Sequence, residues 1–159
     1  DREPTADEVW QSIDNCNKYD EIVFCGYGEP TLRLDVIKTV SKKIKDAGGR
    51  VRLNTNGHGN VINKRNILPE LKGLVDSISI SLNADTEEAY DRIVRPLPGL
   101  RNGIYDKVKE FIEEAKKYIP EVQSTIVTHQ EGVDEEKCEE ISKNELDVNY
   151  RPRRYNIVG

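Results

Sequence analysis

The chain has 159 residues, 36% of them hydrophobic and 33% charged, with a net charge of −5. That is enough for one domain, residues 1–159, with a real core under a heavily charged exterior. The acidic balance argues against nucleic-acid or membrane partners, no apolar run has spanning length and no signal-peptide pattern is read at the start, so the cytoplasm is the expected location.

Thr5 to Glu8 reads as a capping box, and Val9, Trp10, Ile13 and Cys16 recur after it at helical spacing. Ile22 to Cys25 is expected to be a strand, ended by Gly26-Tyr27-Gly28. A second helix carries Leu34, Ile37, Val40, Ile44 and Ala47 on one face and stops at Gly48-Gly49. Arg50 to Asn54 is the next strand, closed by NTNGHGN. A short helix around Ile67 to Leu74 leads to the strand SISISLN, after which Asp85 or Thr86 opens another helix. RPLPGL is a loop. A long amphipathic helix follows, with Val108, Phe111, Ile112, Ala115 and Ile119 on its apolar side. EVQSTIV is a strand, Asp134 to Leu146 a helix, and DVNYR the last strand.

Strands alternating with helices imply a parallel sheet with right-handed crossovers. The strand faces narrow the choice. Val51, Leu53 and Thr55 oppose Arg52, Asn54 and Asn56; Ile78, Ile80 and Leu82 oppose Ser79, Ser81 and Asn83; Val148 and Tyr150 oppose Asn149, Arg151 and Arg153. A sheet covered on both faces reads as continuous apolar runs, and a closed eight-stranded barrel fills its lumen with branched apolar residues. Neither pattern is present. The expectation is a partial α/β barrel, helices on one face and a polar face left for a ligand.

Ligands of such folds bind at the carboxyl ends of the strands, which here read GYGEP, NTNGHG, SLNAD and THQEG. The first begins like a dinucleotide fingerprint, but Thr31 stands at the third glycine position and no GK[ST] follows. Glu29 would repel a phosphate. It suits a cation. Glycines let a ligand reach bare carbonyl oxygens, Pro30 removes an N–H, and carbonyls with a carboxylate can cage a primary ammonium. Arg151 and Arg153 could take a substrate carboxylate or phosphate, or form interstrand ion pairs.

These residues resemble the radical S-adenosylmethionine (radical SAM) superfamily. FCGYGEPT is similar to its GGEP motif, with Tyr27 in place of the usual second glycine, and LNTNG and ISLNA sit where the superfamily has its next strand ends. The ordered set resembles the small TatD-associated members most. The resemblance implies a partial (β/α)6 TIM-type barrel. It implies that Gly26, Tyr27, Gly28 and Glu29 hold the cofactor's ammonium, and that Asn54, Asn56, Ser81 and Asn83 contact its ribose hydroxyls or carboxylate. Ile126 would lie against adenine. The reaction implied is reductive cleavage of S-adenosylmethionine by a [4Fe–4S] cluster to a 5′-deoxyadenosyl radical, with an external electron donor and an unidentified substrate.

One departure is large: the CxxxCxxC that ligates the cluster does not occur. Cys16, Cys25 and Cys138, the three cysteines, are scattered and form neither that spacing, a disulfide framework nor a zinc pattern. Methionine is absent too. The chain is therefore expected to be a piece of a longer enzyme, without the first strand and cluster loop and inactive alone; the alternative is a naturally cluster-less relative. An unprotected IVFC strand edge is expected to promote dimerisation. An α/β-barrel lyase or aldolase using Glu29 and His58, and a non-catalytic nucleoside-binding or scaffold module, are the rival readings.

Overall fold

The computed structural model describes residues 2–26, 28–101 and 103–154. Five strands form one sheet: β1 (Ile22–Phe24), β2 (Val51–Thr55), β3 (Ser77–Ser81), β4 (Glu121–Val127) and β5 (Asn149–Arg153). All neighbouring pairs are parallel, and the spatial order follows the chain, β1-β2-β3-β4-β5. A doubly wound sheet would reverse its order at a switch point. This one does not, so its connections stay on one side and the sheet is that of a partial α/β barrel.

The capping box forms as read: Glu8 N donates to Thr5 Oγ1 and the Glu8 carboxylate accepts from Thr5 N, opening α1 (Ala6–Ser12). Helix α1 is shorter than its apolar spacing suggests, and Cys16 falls in a separate 3₁₀ turn (Cys16–Lys18). Helix α2 (Leu34–Asp46) buries Leu34, Val36, Ile37, Val40 and Ile44, each stabilising by roughly 1.5–3 kcal/mol. Helix α5 (Glu87–Val94) is capped by Thr86, and α6 (Ile104–Ala115) buries Val108, Phe111 and Ile112 against the sheet core. Two short helices, α3 (Gly59–Asn63) and α4 (Leu68–Leu71), bridge β2 to β3.

The last helix differs from its expected span. Helix α7 covers Glu135–Glu140, and Ile141–Glu145 continues as a wider π turn, with Leu146 N donating to Ile141 O at 2.9 Å. Ser142 explains part of the change: its hydroxyl donates to Cys138 O at 2.8 Å and pairs with Ser124 Oγ at 2.5 Å. No helix among the described residues is long and apolar enough to cross a membrane.

Register fixes the two faces. Leu53, Ile78 and Ile80 point to the helices and are fully buried. On the other face Asn54 lies beside Ser79, Ser79 beside Gln123, Ser81 beside Thr125, and Thr125 beside Arg151. The polar face read from alternation is there.

Candidate functional site

The turn after β1 is open where its glycines lie. A Cβ built on Gly26 or Gly28 meets nothing within 4 Å, and Gly28 has φ +115°, a conformation that excludes ordinary side chains. These glycines therefore answer to backbone geometry and access rather than to tight packing. A cavity of about 360 Å³ adjoins Gly26 and Gly28 on the helix side of β1, where Phe24, Val36 and Ile37 also line it. Tyr27 lies outside the described residues.

Glu29 is placed differently from a free caging carboxylate. Its Oε1 accepts from Thr31 N at 3.1 Å, Thr31 Oγ1 at 2.6 Å and Thr55 Oγ1 at 2.6 Å; its Oε2 accepts from Asn56 N at 2.7 Å. The carboxylate thereby clamps the β1 rim to the β2 rim. Extended geometry at Glu29 (φ −106°, ψ 113°) before Pro30 aims it there. Asn56 is also bound into its own turn, its Oδ1 accepting from His58 N at 2.9 Å.

Asn54 and Asn83 are the unsatisfied members. The Oδ1 atom of each is buried with no hydrogen-bond partner, and Asn83 holds φ +62°. A buried acceptor without a donor costs about 1–3 kcal/mol, and left-handed backbone at a non-glycine residue adds strain. Ser81 Oγ, between them in the chain, lies 3.5 Å from Thr125 Oγ1. Two unfilled acceptors on adjacent strand ends fit ligand hydroxyl or ammonium donors.

The structure does not bring Ile126 to this face. Ile126 is fully buried and follows the parity of Ser124, which bonds Ser142 on the helix side. Its chain neighbours Thr125 and Val127 are on the polar face with Gln123, as strand alternation requires.

His58 is neither a solvated loop residue nor a rim base. It is 6% exposed, and its Nε2 lies 2.7 Å from Tyr90 Oη. Burial lowers its pKa below the usual histidine value, against the opposing charge of Glu29. Burial also raises the Tyr90 phenol. The pair is a neutral, buried strut that the sequence separates by 32 positions. A lyase using Glu29 and His58 loses its support, since both groups are engaged within the protein.

A hollow of about 840 Å³ lies between α3 and α6, lined by Gly57, Asn60, Asn66, Glu110 and Glu114 among others. It holds no converging set like that of the polar rim.

The radical SAM superfamily profile matches residues 1–143. The chain belongs to the radical SAM superfamily. An uncharacterized protein of Methanocaldococcus jannaschii is 34% identical over 113 residues, 70% of this chain but 36% of the relative. The matched stretch thus spans about a third of that relative's length.

Radical SAM members typically use S-adenosylmethionine and a [4Fe–4S] cluster, and the two fit this chain differently. The orphaned amides and open glycines suit the cofactor. No group of three His, Cys, Asp or Glu side chains among the described residues could hold a metal ion. Cys16 and Cys138 are buried, with burial pushing the Cys138 thiol up to about 12, and Cys25 is exposed and isolated from both in sequence. These residues do not fit the cluster.

Proposed function

We propose that the polar face binds S-adenosylmethionine, as the cofactor-holding portion of a radical SAM enzyme. The unfilled Oδ1 atoms of Asn54 and Asn83, beside the open glycine turn, carry the reading. Carbonyl oxygens at Gly26 and Gly28 accept from the ligand's ammonium. Asn54, Ser81 and Asn83 offer both donors and acceptors to its hydroxyls and carboxylate. Glu29 holds the two rims in register and leaves Oε2 a second lone pair for one ligand N–H. Val127, in place of Ile126, is the apolar β4 side chain available to an adenine ring.

When bound, S-adenosylmethionine supplies radical chemistry through one-electron cleavage of its sulfonium. The residues of this chain bind, orient and shield it; the described residues provide no ligand set for the electron-donating cluster, so the chain alone is expected to bind without turnover. The small TatD-associated group remains the best subgroup assignment, on the ordered motifs GYGEP, NTNGHG and SLNA.

Isothermal calorimetry with S-adenosylmethionine and with S-adenosylhomocysteine tests this. Both should bind, because both carry the ammonium and the ribose. Asn54→Ala and Asn83→Gly should each weaken binding about 5- to 30-fold, the loss of one hydrogen bond of roughly 1–2 kcal/mol. Glycine at position 83 removes the amide while tolerating the left-handed backbone. Absence of heat at millimolar ligand refutes the proposal.

A further inference from the structure

Arg151 and Arg153 stand at alternate positions of β5, Arg151 beside Thr125 and Arg153 beside Val127. Both help line a small cavity of about 130 Å³ with Asn54, Ser79, Ser81 and Thr125. Among the described residues neither guanidinium has an acidic partner within ion-pair distance. Arg52, on the same face, is different: its Nε bonds Glu21 at 2.6 Å and its NH1 donates to Ser79 Oγ at 3.0 Å. The ion pair considered for the β5 arginines is made by Arg52 instead, with Glu21 just before β1. A chain of net charge −5 thus keeps two uncompensated cations at one corner of its polar face.

The neighbours add donors. Ser79 Oγ accepts from Arg52 and from Gln123 Nε2 at 2.6 Å, which leaves its own hydroxyl hydrogen to give away. Ser81 and Thr125 contribute two further hydroxyls, and Asn54 an amide. The corner is a donor-rich, positively charged notch.

We propose that this notch is the substrate subsite of the same face, and that it takes the oxyanion head group, carboxylate or phosphate, of a small anionic substrate. The assignment rests on the cofactor reading of the β1, β2 and β3 strand ends. A volume near 130 Å³ equals about four waters' share of liquid at roughly 30 Å³ each. That admits a head group and leaves the rest of the substrate outside, toward the cofactor side. Guanidinium groups match either oxyanion with paired N–H donors.

Spacing separates the β5 arginines from the cofactor's own carboxylate, while Asn54 and Ser81, on β2 and β3, border both groups. Four strand-to-strand steps lie between β1 and β5, about 19 Å along the sheet at ~4.8 Å each. An amino acid carries its ammonium and carboxylate on one carbon. With the ammonium at Gly26 and Gly28, the carboxylate does not reach β5.

The test titrates the chain with inorganic phosphate and, separately, with succinate at low salt, followed by amide NMR shifts. Saturable shifts at Ser79, Ser81 and Thr125 are expected in the millimolar range, and the tighter anion identifies the head-group class. Arg151→Gln/Arg153→Gln should weaken that binding at least 10-fold with amide dispersion intact. The exposed control Lys72→Gln should leave it unchanged, and S-adenosylmethionine affinity should move less than twofold in the double variant. Anion binding with those shifts upholds the notch even if S-adenosylmethionine fails to bind, in which case only the cofactor reading falls. The proposal is overturned if neither anion shifts those amides, if Lys72→Gln weakens binding equally, or if the double variant abolishes S-adenosylmethionine binding.

Discussion

Replacing Glu29 probes the joint between the first two strand ends. Glu29→Ala removes four acceptances, from Thr31 N, Thr31 Oγ1, Thr55 Oγ1 and Asn56 N. The two hydroxyls can turn to other partners. The two partly buried backbone N–H groups cannot, and each lost bond to a charged acceptor is worth about 1.5–3 kcal/mol. Allowing for partial access of water, Glu29→Ala should destabilise the fold by about 3 kcal/mol. Glu29→Gln can keep its amide oxygen on the threonines but turns an NH₂ toward Asn56 N, so about 2 kcal/mol is expected. Urea unfolding followed by circular dichroism measures both. With a slope near 2 kcal/mol per molar, the midpoints should fall by about 1.5 M and 1 M, the slope unchanged. Pairing Glu29→Ala with Thr55→Val should give a coupling of about 1 kcal/mol, since the two groups are 2.6 Å apart. Losses below ~0.5 kcal/mol with no coupling would refute the clamp.

Gly57→Ala should cost about 2 kcal/mol in the same assay: φ is +82°, and the new Cβ would lie 3.0 Å from Ile80 Cγ2 and 3.1 Å from Val108 Cγ1; near-neutral behaviour would contradict the packing. His58 has a folded pKa below its ordinary 6.5 because of burial, so its contribution is complete above pH 6.5 and is lost as pH falls toward the folded value. The urea midpoint should therefore drop between pH 7.5 and 5.5 more in the wild type than in His58→Gln, and equal drops would refute it. Val23 is 39% exposed on edge strand β1, whereas edge strand β5 carries Pro152 and charged arginines. Self-association through β1 should appear in sedimentation at high concentration and weaken at least 10-fold in Val23→Lys; association indifferent to that charge contradicts the edge.

The parts of the fold that were legible are those with a clean period. EVQSTIV has turn signals on either side, and β4 occupies the stretch read for it, Glu121–Val127. Helix α2 announced itself by Leu34, Ile37, Val40 and Ile44. Helix α3 did not, because five residues of GNVIN within a glycine- and asparagine-rich segment carry no period; its stop is Lys64 at φ 53°. The π turn was invisible for another reason: Ser142 is silent in a hydrophobic pattern, yet its hydroxyl reaches both Cys138 and Ser124.

At the site, residue types forecast openness better than contacts. The glycine turn and the polar rims could be read from GYGEP, NTNG and SLN. The partners of Glu29 could not, since Thr55 and Asn56 lie 26 and 27 positions away. The His58–Tyr90 strut has the same character, a contact between distant elements that neither motif nor spacing marks. Ile126 is the instructive case. It was assigned to the ligand by resemblance, although alternation with Thr125 and Val127 already turns it toward the helices.

The clamp also limits how an ammonium can be held. Glu29 Oε1 accepts three bonds and has no further lone pair to offer; Oε2 accepts one and retains one. A primary ammonium has three N–H donors, so Glu29 satisfies one at most, and the other two must go to peptide carbonyls of the glycine turn or to the cofactor's own atoms. Under the proposed binding, substitution of the carboxylate should act on ligand affinity by two routes, one direct bond and the loosening of the rim that positions the carbonyls. Asn83→Gly touches neither route. Its effect on affinity should therefore add to that of Glu29→Gln within about 0.5 kcal/mol, and a larger coupling would mean that the two residues grip the same group.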